Sequence, residues 1–257
     1  DWLARSFVEG GWKLKALHKL IVTSSVYRQS SAASAELHLR DPENRLLARG
    51  PRRRLSGNAI RDTALYTSGL LVEKIGGPSV KPYMPPGIWA SVSNAKYKRG
   101  KGPALYRRSL YTYWRRTLPP PTLMTFNAAA REVCIVKMDQ TTTPLQALAS
   151  MNNIAFVEAA RFLAERVLRP KGHDDRGRLT RAFRLVLSRP PTPGELKILE
   201  ADLEYYLDDF RKRPAAARKL LGVGEKPFNK KLDSAKLASY ALIANTILNL
   251  DEAITQN

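Results

Sequence analysis

Apolar residues recur at the spacing of an α-helix over most of the chain. One stripe predicts a helix that begins at Ser56 and ends at Gly76-Gly77, where two glycines suit a helix C-terminus. Its apolar positions are Ile60, Ala64, Thr67, Leu71 and Ile75.

The C-terminal half carries four further stripes of this kind, and it reads as a helical bundle. The last of them, roughly 233 to 249, is apolar over a wide arc, which predicts a deeply buried helix. The other three stripes are Phe156, Ala160, Leu163 and Val167; Leu179, Ala182, Phe183, Val186 and Leu187; and Leu196, Leu199, Leu203, Tyr206 and Phe210.

Three helix starts are marked by a capping side chain followed by proline, at Asp41-Pro42, Thr143-Pro144 and Thr192-Pro193. Gln146 and Glu195 lie three residues after the two threonines. This spacing predicts capping boxes, in which each side chain satisfies a backbone N–H group.

The middle of the chain, between about 76 and 142, is rich in glycine, proline and polar residues. Two short pieces are typical of strands, "SLYTYW" (109–114) and "VCIVKM" (133–138), and they would pair as an antiparallel ribbon across a long connection. We therefore predict a mainly α protein, a helical bundle with a small antiparallel β insertion and a long irregular middle segment. We expect one domain over 1–257, divided into 1–75, 76–142 and 143–257.

Composition is that of a folded protein, with 44% hydrophobic and 26% charged residues. The chain has 43 basic and 23 acidic side chains, a net charge of +20, which favours polyanionic partners. No apolar run approaches the roughly 18 residues that a membrane span needs. A single cysteine, Cys134, excludes an internal disulfide.

The stretch "RRSLYTYWRR" is the strongest candidate for a binding surface. On a strand, Arg107, Ser109, Tyr111, Tyr113 and Arg115 would share one face. Tyrosine rings between guanidinium groups would stack a planar ligand, as in single-stranded nucleic acid binding. The alternative is a half-buried strand whose tyrosines need no ligand.

Other polar clusters have simpler interpretations. "GPRRRL" (50–55) is either a polyanion contact or a solvated basic stretch, and Arg131 with Glu132 forms either an ion pair or part of an enzyme pocket. The histidines His18, His38 and His173 are far apart in sequence. They indicate neither a catalytic dyad with Cys134 nor a zinc site.

Several ordered motifs together resemble a known family, the planctomycete-specific C-terminal domain of unknown function found in exported cytochrome-c-like multidomain proteins. These motifs include "ALHKLIVTSSVYRQSS", "DPENRLLARGPRRRLSGNAIRDTAL", "LYRRSLYTYWRRTLPPP", "REVC", "TPLQAL" and "LNLDEAITQN". The resemblance implies an exported, periplasmic or cell-surface protein whose upstream domains are partners. It places any haem on an upstream domain, so we expect no cofactor within this chain and no metal site.

The chain departs from that family pattern at three places. Where the family pattern is F-D-x-P-D, this chain has Asn127, Ala129 and Ala130 in place of the two Asp and the Pro. Where the pattern is T-N-T-P, this chain has Thr142 in place of Asn, and where it is L-N-D, this chain has Asn153 in place of Asp. If the family carboxylates bind metal or move protons, this chain is impaired. If they cap turns, Asn127 is an adequate substitute.

Three functions remain open on the sequence. The first is an accessory or binding domain that contacts anionic polysaccharide through Arg107, Tyr111, Tyr113 and Arg115. The second is an enzyme domain with Arg131 and Glu132 nearest the chemistry. The third, nucleic-acid binding, fits the charge but fits an exported setting poorly.

Overall fold

The computed structural model of the protein describes residues 1–92, 96–136, 141–170, 172 and 174–256. Within these residues there are twelve α-helices and one two-stranded antiparallel sheet, which confirms a mainly α fold. Contacts divide the chain into two compact units, Asp1–Arg53 with Thr255 and Gln256, and Arg54–Ile254. The single domain over 1–257 stays a prediction.

The helices alternate with short connections except in the middle of the chain. Their bounds are α1 Trp2–Glu9, α2 Leu14–Thr23, α3 Ala35–Arg40, α4 Gly57–Ser68, α5 Pro121–Thr125, α6 Pro144–Asn152, α7 Ile154–Leu168, α8 Asp175–Leu187, α9 Pro193–Lys212, α10 Pro214–Leu221, α11 Ser234–Leu248 and α12 Asp251–Ile254. The strands are β1 Arg53–Arg54 and β2 Thr255–Gln256, and short 3₁₀ helices lie at Ile88–Ser91, Gly102–Leu105 and Ser109–Tyr111. None of the helices in the described part of the chain is long and apolar enough to cross a membrane.

The first unit has little core of its own in α1 and α2. Neither helix buries a side chain, and both expose large apolar residues such as Trp2, Leu14 and Leu20. The predicted helix start at Asp41-Pro42 is wrong. Asp41 instead follows α3, and its carboxylate accepts hydrogen bonds from Arg45 N and Leu46 N at 2.8 Å each. The Leu46 and then the Arg45 N–H lower the pKa of Asp41, so this carboxylate organises a turn.

The second unit is built around α7 and α11, which pack against each other and against α4, α8 and α9. The wide apolar arc predicted for the last helix is confirmed, because α11 buries ten of its fifteen residues. Leu163, Leu237 and Ile243 are fully excluded from solvent at the centre of this core.

The helix starts predicted from proline and threonine are confirmed at two places. Thr143 and Gln146 form a capping box on α6, and Thr192 and Glu195 form one on α9. Helix α4 begins after Ser56 as predicted, but it ends at Gly69 and not at Gly76-Gly77. Gly69 adopts a left-handed conformation with φ of 76°, which terminates the helix early.

The ribbon predicted for the middle is wrong in position and pairing. Ser109–Tyr111 is a 3₁₀ turn, because the Asp62 carboxylate accepts from both Ser109 N (2.8 Å) and Ser109 Oγ (2.7 Å). Residues 133–136 form no strand, and 137 and 138 lie outside the described residues. The small sheet consists instead of β1 and β2.

A buried ionic network on α7 holds the loop before Phe228 against the core. Glu158 is fully buried and accepts hydrogen bonds from Tyr83 Oη (2.8 Å), Tyr106 Oη (3.0 Å), and the N–H groups of Glu225 and Lys226 (2.9 Å each). The Arg161 guanidinium lies 3.5 Å from the same carboxylate. Burial, with a contribution from Glu158, raises the pKa of Tyr83 to about 12.

We expect Glu158→Gln to lower the free energy of unfolding by about 3 kcal/mol, because Arg161 then keeps a buried charge without its closest counter-ion.

Gly224→Ala is expected to lower the free energy of unfolding by a similar amount. Gly224 has φ of +98°, and an added Cβ would lie 2.3 Å from Glu158 Cδ, which cannot move without losing its donors. Urea unfolding measures both, with Gly194→Ala, where nothing lies within 4 Å, as the control. Equal stability of Gly224→Ala and Gly194→Ala would contradict this account.

Arg189 joins the ends of three helices in the second unit. Its guanidinium makes two hydrogen bonds to Glu195 (2.8 and 2.9 Å) and two to Glu252 (2.6 and 2.8 Å). Hydrogen bonding to Arg189 lowers the pKa of Glu195 from 4.5 to about 2. Because this pKa lies below its ordinary value, ionised Glu195 stabilises the fold above about pH 4.5, and the effect disappears as the pH falls toward 2.

Glu195→Gln keeps the capping geometry but removes the charge, so we expect it to destabilise the protein by roughly 0.5–1 kcal/mol at pH 7. The difference from the wild type should shrink as the pH is lowered from 4.5 toward 2, measured by urea unfolding at each pH. Glu200→Gln, on an exposed position of the same helix, is the control. A difference that stays constant with pH would show that the charge plays no part.

Candidate functional site

The middle segment gathers three aromatic rings and two cations into one partly exposed cluster, which we term the Trp89 platform: Lys81, Trp89, Tyr97, Tyr113 and Arg115. The Trp89 ring centroid lies 5.1 Å from that of Tyr97 and 6.3 Å from that of Tyr113. Lys81 Nζ lies 4.8 Å from the Tyr113 centroid, and the Arg115 guanidinium lies 5.1 Å from the Trp89 centroid. Cations at these distances are attracted to the ring faces.

Backbone hydrogen bonds place Lys81 beside Tyr113. Val80 pairs with the segment around Thr112, because Val80 N donates to Tyr111 O (2.8 Å) and Tyr113 N donates to Val80 O (2.7 Å). Lys81 and Tyr113 each follow a residue of this parallel bridge. The pairing therefore brings together residues that are more than thirty positions apart in sequence.

The rest of the platform is fixed by side chains that bond to main-chain carbonyls. Tyr97 Oη donates to Pro82 O at 2.7 Å, and Arg115 Nη2 donates to Val92 O at 2.9 Å. Burial raises the pKa of Tyr97 to about 12, so this phenol stays protonated and keeps its hydrogen bond at neutral pH. The 3₁₀ helix Ile88–Ser91 carries Trp89 between these anchors.

The platform keeps a positive charge. Across the described residues, no carboxylate lies within ion-pair distance of Lys81 or Arg115. Tyr113 is 37% exposed, so one wall of the platform is open to a ligand. A cluster of this composition suits an anionic molecule that also has a flat apolar face.

The structure separates the four residues predicted to form one binding face. Tyr113 and Arg115 belong to the Trp89 platform, whereas Arg107 and Tyr111 hold the chain together elsewhere. Arg107 is 6% exposed, and its guanidinium donates to the carbonyls of Lys74, Gly76 and Pro78 at 2.6–3.0 Å. It also stacks 3.7 Å from the centre of the Tyr111 ring. The prediction that these four residues share one face of a strand is wrong, because the 3₁₀ turn at Ser109–Tyr111 breaks the alternation of side chains.

Arg131 and Glu132 are both exposed. Arg131 lies 4.5 Å from the Trp114 ring, whose indole N–H donates to Ala130 O at 2.8 Å. Cys134 is an exposed free thiol. The enzyme hypothesis for Arg131 and Glu132 stays a prediction.

In the described part of the chain, no three His, Cys, Asp or Glu side chains gather into a cluster that could hold a metal ion. His173 lies outside the described residues. His18 and His38 lie in α2 and α3.

The residues that depart from the family pattern make local structural bonds. Asn127 Nδ2 donates to Thr141 Oγ1 at 2.8 Å, and Thr142 Oγ1 accepts from Arg54 Nη1 at 2.8 Å. Asn153 caps α7 through Ala155 N at 3.0 Å. Ala129 and Ala130 are half-buried. At Asn127, Thr142 and Asn153, the side chains organise turns and a helix start.

Sequence reasoning missed Lys81, Trp89 and Tyr97. The available signal was the density of aromatic residues in a segment rich in glycine and proline, but no periodic pattern links the three. The bridge between Val80 and Thr112 and the bonds to Pro82 O and Val92 O bring them together.

Comparison with known families gives one finding. The family model of PSD1, a protein of unknown function (DUF1553), matches residues 1–203. This match covers more than half of the chain, so the protein belongs to that family of uncharacterised domains. Searches of curated proteins and of solved structures return no match.

Proposed function

We propose that the protein is an accessory binding domain that contacts anionic polysaccharide through the Trp89 platform. The observation that carries this proposal is the placement of Lys81 and Arg115 over the faces of Trp89 and Tyr113, with no described carboxylate neutralising them. Cations over aromatic faces require a ligand that has an anionic group and an apolar face in the same unit.

A uronic acid or sulfated sugar meets both requirements. The C–H groups on one face of a pyranose ring pack against an aromatic side chain, while a carboxylate or sulfate accepts hydrogen bonds from a guanidinium. The guanidinium of Arg115 is pre-oriented by its bonds to Val92 O and Thr117 Oγ1. Less conformational entropy is then lost when the ligand binds.

The wider setting is part of this proposal. The family resemblance favours an exported protein, periplasmic or at the cell surface, with a cytochrome-c-like module upstream that would carry any haem. Extracellular anionic polysaccharide is then a ligand that the domain would meet. Nucleic-acid binding remains an alternative for the same cluster, since bases also stack on aromatic rings.

We expect Trp89→Ala with Tyr113→Ala to weaken binding to alginate and heparin at least tenfold, because the stacking surface is lost. Isothermal titration at constant ionic strength measures the effect, with neutral dextran as the ligand control. Tyr205→Ala, which removes a 69% exposed tyrosine from α9, is the matched variant.

Unchanged binding of the Trp89→Ala, Tyr113→Ala double variant would exclude this site.

A second double variant, Lys81→Gln with Arg115→Gln, tests the charge of the platform and should also weaken binding to alginate and heparin. Its control is the pair Lys197→Gln with Arg211→Gln on α9. If single-stranded DNA binds more tightly than alginate, with a steep salt dependence, nucleic-acid binding replaces the proposal.

We also propose that α1 and α2 contact another domain of the parent protein. The two helices form a groove of about 120 Å³ lined by Leu3, Phe7, Leu17 and Leu20, and Leu20 remains 43% exposed. Exposed apolar surface of this kind is typical of an interface. The upstream domains implied by the family resemblance are the partners we expect.

In that case, amide hydrogen exchange in α1 and α2 should be at least tenfold slower in the full parent protein than in this chain alone. Leu20→Lys should remove the extra protection, because it places a charge in the groove. Leu39→Lys, at an 84% exposed apolar position of α3, should leave it unchanged. Identical exchange in both proteins would exclude the contact.

A further inference from the structure

Helix α8 carries a basic groove that shares no residue with the Trp89 platform. Its volume is about 600 Å³, within the range of sites for small molecules. The residues that line it include Arg176, Gly177, Thr180, Arg181 and Arg184, together with Asp174 at the N-cap. We propose that this groove binds a small molecule that carries a phosphate or sulfate ester group.

The helical repeat brings the donors of the groove together. Gly177, Thr180, Arg181 and Arg184 are neighbours on the surface of α8, because residues three and four positions apart in a helix lie side by side. Gly177 has no side chain, so it leaves a hollow between the Thr180 hydroxyl and the two guanidinium groups. A tetrahedral anion in this hollow would accept hydrogen bonds from all three side chains.

The opposite face of α8 fixes the helix in the core of the second unit. Leu179 and Phe183 are excluded from solvent on that face. Asp175 accepts a hydrogen bond from Tyr240 Oη at 2.9 Å and lies 2.7 Å from Lys236 Nζ, and both of these partners belong to α11. The side chains of the groove therefore project from a fixed backbone, which reduces the entropy lost when a ligand binds.

The arginines of the groove are available to an anion. Across the described residues, Arg176, Arg181 and Arg184 make no ion pair, no side-chain hydrogen bond and no contact with an aromatic face. Asp175, their neighbour on α8, is already engaged by α11. The carboxylate that lines the groove, Asp174, accepts from Gly177 N at 2.8 Å and caps the helix. The groove therefore keeps an excess of positive charge.

Two further features of α8 are unfavourable in the absence of an anion. Arg176 lies in the first turn, where the helix dipole favours negative charge, and Arg181 and Arg184 form a like-charge pair three positions apart. The Thr180 hydroxyl makes no hydrogen bond within the described residues, whereas that of Thr67 donates to a carbonyl of its own helix at 2.9 Å. An anion in the groove would relieve the repulsion and accept from the hydroxyl.

The number of donors selects the kind of anion. A phosphate or sulfate ester has three terminal oxygens, so it can accept from the Thr180 hydroxyl and from the guanidinium groups of Arg181 and Arg184 at once. A carboxylate has two oxygens and matches one guanidinium group. The groove therefore suits a phosphate or sulfate ester better than a carboxylate.

Isothermal titration of the full chain at constant ionic strength tests the groove, with phenyl phosphate and phenyl sulfate as probes and phenol as the neutral control. We expect saturable binding of at least one ester at a single site and no binding of phenol. The ester that binds more tightly identifies the phosphate or the sulfate source. Absence of saturable binding by both esters, or equal binding of phenol, overturns the proposal.

Three variants locate the site. Arg184→Gln is expected to weaken ester binding at least tenfold, while its Tm stays close to the wild-type value because the position is exposed. Thr180→Val, which removes the hydroxyl, should weaken binding at least threefold. Asp174→Asn keeps a capping side chain and removes the carboxylate, so it should strengthen binding about threefold. A gain of affinity cannot come from misfolding.

The matched control is Arg218→Gln, which removes an exposed charge from α10 outside the groove and should leave ester binding unchanged. If it weakens binding as much as Arg184→Gln, the interaction reflects net charge and the proposal fails. The Trp89→Ala, Tyr113→Ala double variant should bind the esters at wild-type strength. Loss of ester binding in that variant would place the esters on the platform and overturn the proposal.

Discussion

Buried guanidinium groups bonded to main-chain carbonyls are the interaction on which the irregular parts of this protein depend. Loops expose carbonyl oxygens that no helix or sheet satisfies, and such groups are unfavourable when buried without a donor. Arg61 donates to the carbonyls of Leu105 and Arg107, and Arg161 donates to that of Lys226 at 2.6 Å. Arginine suits this role because one side chain offers five donors in a fixed plane.

These bonds allow a long segment without regular structure to keep a defined shape. Arg61 projects from α4 and fixes the backbone around Leu105 and Arg107, and Arg107 in turn fixes the turn around Gly76. The Trp89 platform is held in the same way, through Tyr97 and Arg115. A helical scaffold with arginine bonds can therefore present aromatic side chains without a sheet beneath them.

The sequence could predict features that depend on residues close together in the chain, and it could not predict features that depend on distant ones. Capping at Thr143 and Thr192 depends on residues within one helical turn, so the local pattern was sufficient. Helix α11 was predictable because a wide apolar arc indicates a helix that is buried on most of its surface. The strand expected at 109–114 was not formed, because Asp62, distant in sequence, takes both donors of Ser109. Of the predicted binding face, Tyr113 and Arg115 lie on the Trp89 platform, whereas Arg107 and Tyr111 stack on each other away from it.

Net charge also has a different meaning once the structure is known. The sequence carries a net charge of +20, yet Arg49, Arg61, Arg107 and Arg161 are buried and bonded to the protein's own main chain. Because their guanidinium groups already donate to main-chain carbonyls, these arginines stabilise the fold and are not accessible to a ligand. An account of binding that counts all basic residues overestimates the charge available to a ligand. The relevant cations are those on open surfaces without a counter-ion, and Lys81 and Arg115 at the platform meet that condition among the described residues.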